Sequence, residues 1–190
     1  MNKEERAQEL KRTMEKILEQ IKQDKVYAKK IVENADRLLE ISKKVGLSLI
    51  GRAVTSWCSV AEMAINNQKI AALVIDTDIL EGQTIAHMAA CKSSVAANLA
   101  VGNIEIAKLR DKKGRTVAHT AIAWKSAAKI AANNPDVLKL ADGKGWTVLH
   151  EISAKWPDIV VEKFIQDPEI AFLSDRYGNM PLCLVLGRYV

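Results

Sequence analysis

Histidine is nearly missing from this sequence. Its 190 residues hold three of them, with three cysteines, four prolines and only 5% aromatic residues. No apolar run approaches the ~20 residues that a membrane-crossing helix needs. The opening MNKEERAQELKRTMEK is too charged for a secretory leader. A soluble, cytoplasmic protein with no membrane partner is therefore expected. Cys58, Cys91 and Cys183 are odd in number and form no C-x-x-C pair. That excludes a disulfide framework and a zinc knuckle, and small buried thiols are expected instead. Neither G-x-G-x-x-G nor G-x-S-x-G occurs, and HEISA (150–154) has Ala154 where a zinc-binding H-E-x-x-H needs its second histidine. No catalytic constellation, metal site or cofactor is expected, and so no enzyme. Hydrophobic residues make up 48% and charged residues 27%, so a sizeable core is available and global disorder is not indicated.

The three histidines all occupy one position of a repeat. GQTIAHMAA (82–90), GRTVAHTAI (114–122) and GWTVLHEIS (145–153) each carry Gly, then Thr two places on, then His five places on. Gly82, Gly114, Gly145 and Gly178 follow one another at intervals of 32, 31 and 33. Asp111, Asp142 and Asp175 stand three residues before the last three of these. Each Asp is expected to cap its turn and each Gly to supply the positive φ at which the chain reverses. The second half repeats too, as SVAEMAINNQKIAAL, SVAANLAVGNIEIAKL, SAAKIAANNPDVLKL and DIVVEKFIQDPEIAFL. Ser59, Ser94, Ser126 and Asp158 are expected to cap these helices. The helices should break at Asn134–Pro135 and Asp167–Pro168, because a residue before proline avoids helical angles. Each unit thus reads as turn, helix, short loop, helix, shorter helical turn. The end copies, GLSLIGRAV (46–54) and GNMPLCLVL (178–186), have lost the Thr–His pair. Atypical end units are expected of an array.

The first 45 residues carry 21 of the 51 charged residues, yet 28–46 aligns without a gap to 127–145. Residues 3–23 and 25–41 are expected to be the two helices of a divergent leading unit. Leu10, Met14, Ile17 and Ile21 share one helical face. That face either packs on the next unit or forms a short coiled-coil dimer.

The pattern resembles the ankyrin repeat, whose unit of about 33 residues is a β-turn plus two helices with a T-P-L-H-x-A signature. Thr84, His87 and Ala89 match it, as do Thr116, His119 and Ala121; Thr147 and His150 match with Ile152 in the Ala place. The signature Pro stands only in the last unit, as Pro181 before Leu182, while Ile85, Val117 and Val148 replace it elsewhere. The resemblance spans 46–186. It implies an all-α, ankyrin-like helical solenoid of stacked two-helix repeats with an N-terminal helical cap. The divisions are a helical pair at 1–45, units at 46–81, 82–113, 114–144 and 145–177, and a partial unit at 178–190. It also implies that Thr84 and His87, Thr116 and His119, and Thr147 and His150 bond to each other and to the adjoining turn. Helices pack ~8–10 Å apart, whereas two zinc-bound nitrogens lie within ~4 Å. The histidines are therefore expected to be structural.

The resemblance implies further that function is the binding of a protein partner in a concave groove. The partner positions are then Gln83, Arg115, Trp146 and Asn179 after the turn glycines, and Met88, Thr120 and Glu151 after the histidines. Lys112, Lys113, Lys144 and Arg176 join them at the turn tips. A rival use is nucleic-acid binding by the basic strip Lys108–Arg115, since the net charge is +5. The acidic stretch DTDILEG (76–82) would polarise the groove. Trp57, Trp124 and Trp156 share one register, with Lys92 in the remaining unit. Each ring is expected either to seal the loop between its two helices or to join an aromatic row that grips a partner. The short last unit is expected to leave apolar surface for self-association or a partner.

Overall fold

The computed structural model describes residues 3–41, 43–75 and 82–187, and their side chains except at 3–7, 9–11, 41, 43 and 44. It is almost wholly helical. The chain opens with α1 (Lys3–Gln23), α2 (Lys25–Glu33), α3 (Ala35–Ile41) and α4 (Lys43–Ser56). Then come α5 (Cys58–Asn66), α6 (Gln68–Ala71) and an antiparallel pair of two-residue strands, β1 (Val74–Ile75) and β2 (Gln83–Thr84). One plan follows repeatedly: α7 (Ile85–Lys92), α8 (Ser94–Gly102), α9 (Ile104–Ala107); α10 (Val117–Ala121), α11 (Lys125–Ala132), α12 (Pro135–Leu138); α13 (Val148–Lys155), α14 (Pro157–Gln166), α15 (Pro168–Ala171). A last helix, α16, covers Pro181–Leu186. Among the described residues no helix is long and apolar enough to cross a membrane.

The long helix of each segment stops at a short polar residue, and that residue or the one after it starts the next helix. Asn67 and Asn103 lie in extended backbone, closing α5 and α8 and accepting N–H bonds from the first turns of α6 and α9. Asn134 caps α12 in the same way, and Pro135 and Pro168 take the first helical position, where their missing N–H costs nothing. The leading pair follows this plan as well. Residues 25–41 form two helices rather than one, divided at Asn34. Asp24 starts α2 by accepting from Val26 and Tyr27 N–H at 2.8 and 3.1 Å.

The helices touch in two series. In one, α4, α7, α10, α13 and α16 meet in order; in the other, α2, α5, α8, α11 and α14. Alanines make the second series close. Ala96, Ala97 and Ala100 of α8 and Ala127, Ala128, Ala131 and Ala132 of α11 are all buried, and small side chains set the shorter interaxial distances. Ile50, Ile85, Ile122, Leu149 and Ile152 are among the largest fully buried side chains of the core. Ile21 is fully buried and Met14 and Ile17 pack on the core, so the α1 face lies on α4 and α2 and is not left for a coiled coil. Leu10 lies outside the described side chains.

Several sequence expectations need correcting. The second helices are capped two residues before Ser59, Ser126 and Asp158, and one before Ser94. The cap residues are Trp57, Trp124, Trp156 and Ser93. The three indoles take the cap place because each N–H reaches back about one unit. Trp57 donates to Ile21 O (2.7 Å), Trp124 to Ala90 O (2.8 Å) and Trp156 to Ile122 O (2.9 Å). The rings thus bridge neighbouring segments and do not merely seal their own loops. In the remaining segment Ser93, not Lys92, takes this place, donating to Glu62 at 3.0 Å.

Gly46 is also no turn glycine. It lies inside α4, where a Cβ would stand 3.0 Å from the Leu38 backbone. Lys43 replaces the turn Asp there, so nothing collects the N–H groups of a loop and the chain stays helical. The cysteines are exposed rather than buried. Cys58 and Cys91 sit at helix ends beside the interhelical loops, and Cys183 holds the histidine register of the last described segment.

Candidate functional site

The site is built from three turns. Asp111 Oδ1 accepts from Lys113 and Arg115 N–H, both at 2.9 Å. Asp142 does the same for Lys144 and Trp146 (2.8 and 2.9 Å), and Asp175 for Tyr177 and Asn179 (2.8 and 2.9 Å). Gly114, Gly145 and Gly178 close these turns at φ of 75°, 82° and 79°. Single antiparallel bridges, Arg110 to Thr116 and Ala141 to Thr147, pinch the first two.

Histidines fix the position of each turn relative to the one before. The Thr84, Thr116 and Thr147 backbone N–H groups donate to Nδ1 of His87, His119 and His150 at 3.2, 3.3 and 3.1 Å. The threonine hydroxyls reach the same nitrogens at 2.8, 2.7 and 2.7 Å. This is a capping box with imidazole in the usual place of glutamate. Because Nδ1 accepts, the ring proton belongs on Nε2. Nε2 then donates to a carbonyl in the following turn: Arg115 O (3.2 Å), Trp146 O (2.9 Å) and Asn179 O (3.0 Å). Both nitrogens of every ring are thereby occupied. Among the described residues no group of three His, Cys, Asp or Glu is placed to hold a metal ion.

Burial holds the His87 and His119 imidazoles below the ordinary value of 6.5, outweighing the raise from their carbonyl bonds. As pH falls through about 6.5 the unfolded chain therefore takes up protons first, and the native state loses stability. The contribution is complete above about pH 7 and declines towards the lower folded-state values. Glu151 and Asp175 are held below 4.5 and 3.8, so their contribution is lost only at more acid pH. Urea midpoints are expected to fall steadily from pH 7.5 to 5.5. A midpoint that is flat over this range would mean that the rings carry no such linkage.

The side chains of the turns alternate. The third and fifth residues point into one groove: Lys113 and Arg115, Lys144 and Trp146, Tyr177 and Asn179. Glu151, His119, Asp142 and Asp175 complete this cavity of about 470 Å³. The Trp146 indole N–H donates to Glu151 at 2.9 Å, and its ring centroid lies 5.1 Å from that of His150. Burial alone would raise the Glu151 carboxyl, but Lys155 at 2.8 Å, Trp146 and the charge of Arg115 bring it below the usual range.

Six of the partner positions expected from the sequence thus share one groove: Lys113, Arg115, Lys144, Trp146, Glu151 and Asn179. Others fall elsewhere. The second turn residues lie over the preceding turn. The Lys112 stem covers Gly82, and Arg176 lies against Gly145 and donates its backbone N–H to Lys144 O. Thr120 is half-buried and Gln83 sits in β2, both away from the cavity. Met88 is only 9% exposed, because α4 crosses it at Gly51. A Cβ on Gly51 would stand 2.7 Å from Ile75 and 3.5 Å from Met88 Cε. Met88 therefore belongs to the core and not to a binding face. Tyr177, 72% exposed, was missed; its signal was the register it shares with Lys113 and Lys144. Asp76, Asp78 and Glu81 of the acidic stretch lie outside the described residues. No family model, curated protein or solved structure matches the chain.

Proposed function

We propose that the chain is a non-enzymatic protein-binding scaffold, an ankyrin-like helical solenoid that holds a protein partner in the groove along its turns. One observation carries this reading. Side chains of three successive turns converge on one cavity, while the Asp, Gly, Thr and His of each unit hold the turns in place. The lining residues differ from turn to turn on a constant frame, which is what a recognition surface needs. Trp146, half-buried and anchored by Glu151, is the kind of rigid aromatic that dominates interface energy. The nucleic-acid reading has weaker support. Lys108 is paired with Glu105 at 2.6 Å, and the Arg110 guanidinium is held by the Gly114 and Ala141 carbonyls, both at 2.6 Å.

The test is copurification from the native cell with the intact chain as bait. The double substitution Trp146→Ala, Arg115→Ala is expected to cut capture of the partner about tenfold or more. Lys112→Ala, off the groove, is expected to leave it unchanged. Capture of every protein undiminished by the double substitution would overturn the reading.

A further inference from the structure

We infer that the groove takes a short acidic segment of its protein partner, with carboxylates on Arg115 and Lys144 and an apolar side chain against Trp146 and Tyr177. This rests on the scaffold reading above. The formal charges in the groove cancel: Lys113, Arg115 and Lys144 stand against Asp142, Glu151 and Asp175. Their hydrogen bonding does not cancel. Asp142 Oδ1 holds two backbone N–H groups of its own turn. Asp175 uses one oxygen for two backbone N–H groups and the other for the Asn179 amide at 2.8 Å. Glu151 has Trp146 on one oxygen and Lys155 on the other. The carboxylates are thus parts of the frame, already bonded to their own donors.

Two cations are differently placed. The Arg115 side chain is exposed and, among the described residues, makes no hydrogen bond or ion pair; the same holds for Lys144. They stand on adjacent turns, and Trp146, two residues beyond Lys144, joins them in the groove. A carboxylate entering the groove meets donors that lack acceptors and gains charge-assisted bonds, bidentate at Arg115. A cation entering it meets carboxylates that each already accept at least two bonds within the frame. Towards the next turn the lining becomes Tyr177 and Asn179, with no further unpaired cation, so an apolar neighbour of the acidic residues faces Trp146 and Tyr177. This is recognition of an acidic motif by a basic cluster on a rigid frame.

The probe is a short peptide of glutamates around one leucine, titrated into the intact ¹⁵N-labelled chain at low salt. The Trp146 indole cross-peak, assigned with Trp146→Phe, is expected to shift on addition. The substitution pair Arg115→Glu, Lys144→Glu is expected to weaken binding about tenfold or more. The pair Lys112→Glu, Arg176→Glu makes the same charge change on the other side of the turns. It is expected to leave affinity within about twofold once salt screens distant charges. A Trp146 cross-peak unmoved by the peptide would overturn the inference. So would equal weakening by both pairs, or tighter binding of oligodeoxythymidylate or of the lysine counterpart peptide at the same cross-peak. Failure of this inference is separable from failure of the scaffold reading. Partner capture that depends on Trp146 but ignores Arg115→Glu, Lys144→Glu removes the acidic class alone. Capture that ignores Trp146 and Arg115→Ala together removes the scaffold reading itself.

Discussion

His119→Ala is expected to lower folding stability by about 3–5 kcal/mol. Three contributions add up. The ring is 1% exposed, so its loss leaves a cavity that the neighbouring helices cannot fully close. The buried Thr116 N–H and hydroxyl both lose the nitrogen they share, and the Trp146 carbonyl loses one of its two donors, keeping the Asp142 N–H. Each buried polar group left without a partner costs about 1–3 kcal/mol on its own. A typical domain has only about 5–15 kcal/mol in total, so the variant should stand close to unfolding at room temperature. Cys183→Ala is the matched comparison. It occupies the same register but is exposed and has no side-chain hydrogen bond among the described residues. Its change is expected to stay within about 0.5 kcal/mol. Urea unfolding at pH 7.5 measures both. Similar midpoints for the two variants would show that the imidazole does not tie one turn to the next.

Gly114→Ala is the second large effect, expected at about 2–5 kcal/mol. At φ of 75° an L-residue costs about 1–2 kcal/mol in any surroundings. Gly114 has a further difficulty. Its added Cβ would lie 2.9 Å from Gly143 N and 3.1 Å from Gly143 Cα. Those are backbone atoms of the following turn and cannot rotate away, so overpacking adds about 1–3 kcal/mol. Gly178→Ala separates the two contributions. Its φ is 79°, nearly the same, but nothing lies within 4 Å of the new Cβ. That variant is expected to lose only the first part. Equal thermal shifts for the two variants would show that close approach of successive turns contributes nothing. A larger loss at Gly114 would show that these turns are in mutual contact, which the groove requires.

The readable part of this molecule was local. The Asp and Gly of each turn act within five residues of one another, and the Asn–Pro and Asp–Pro breaks act within two. Such short-range chemistry is visible in a string of letters, and the Thr–His register three residues apart belongs with it. The bridging residues were less legible. Trp124 looked like a loop seal because the carbonyl it reaches, that of Ala90, is 34 residues away in sequence. Gly46 looked like a turn because its glycine is preserved, although what preserves it is the passage of the Leu38 backbone. Lys112 and Arg176 share a register with one another but not with the groove. They lie against the turn before, Lys112 on Gly82 and Arg176 on Gly145.

The sequence alone determined the repeating local plan: where turns close, where helices break, and that the histidines belong to the build. These outcomes depend on backbone angles and on hydrogen bonds between near neighbours, which are set by residue type and spacing. Only the tertiary structure decided which face each variable residue takes. The register of Met88, just after a histidine, points to a surface, yet α4 covers it; Tyr177 carries no signal beyond its register, yet it lines the cavity. The reason is that exposure depends on what the next segment brings alongside. At Met88 that neighbour is Gly51, from an end copy in which the histidine register has lapsed.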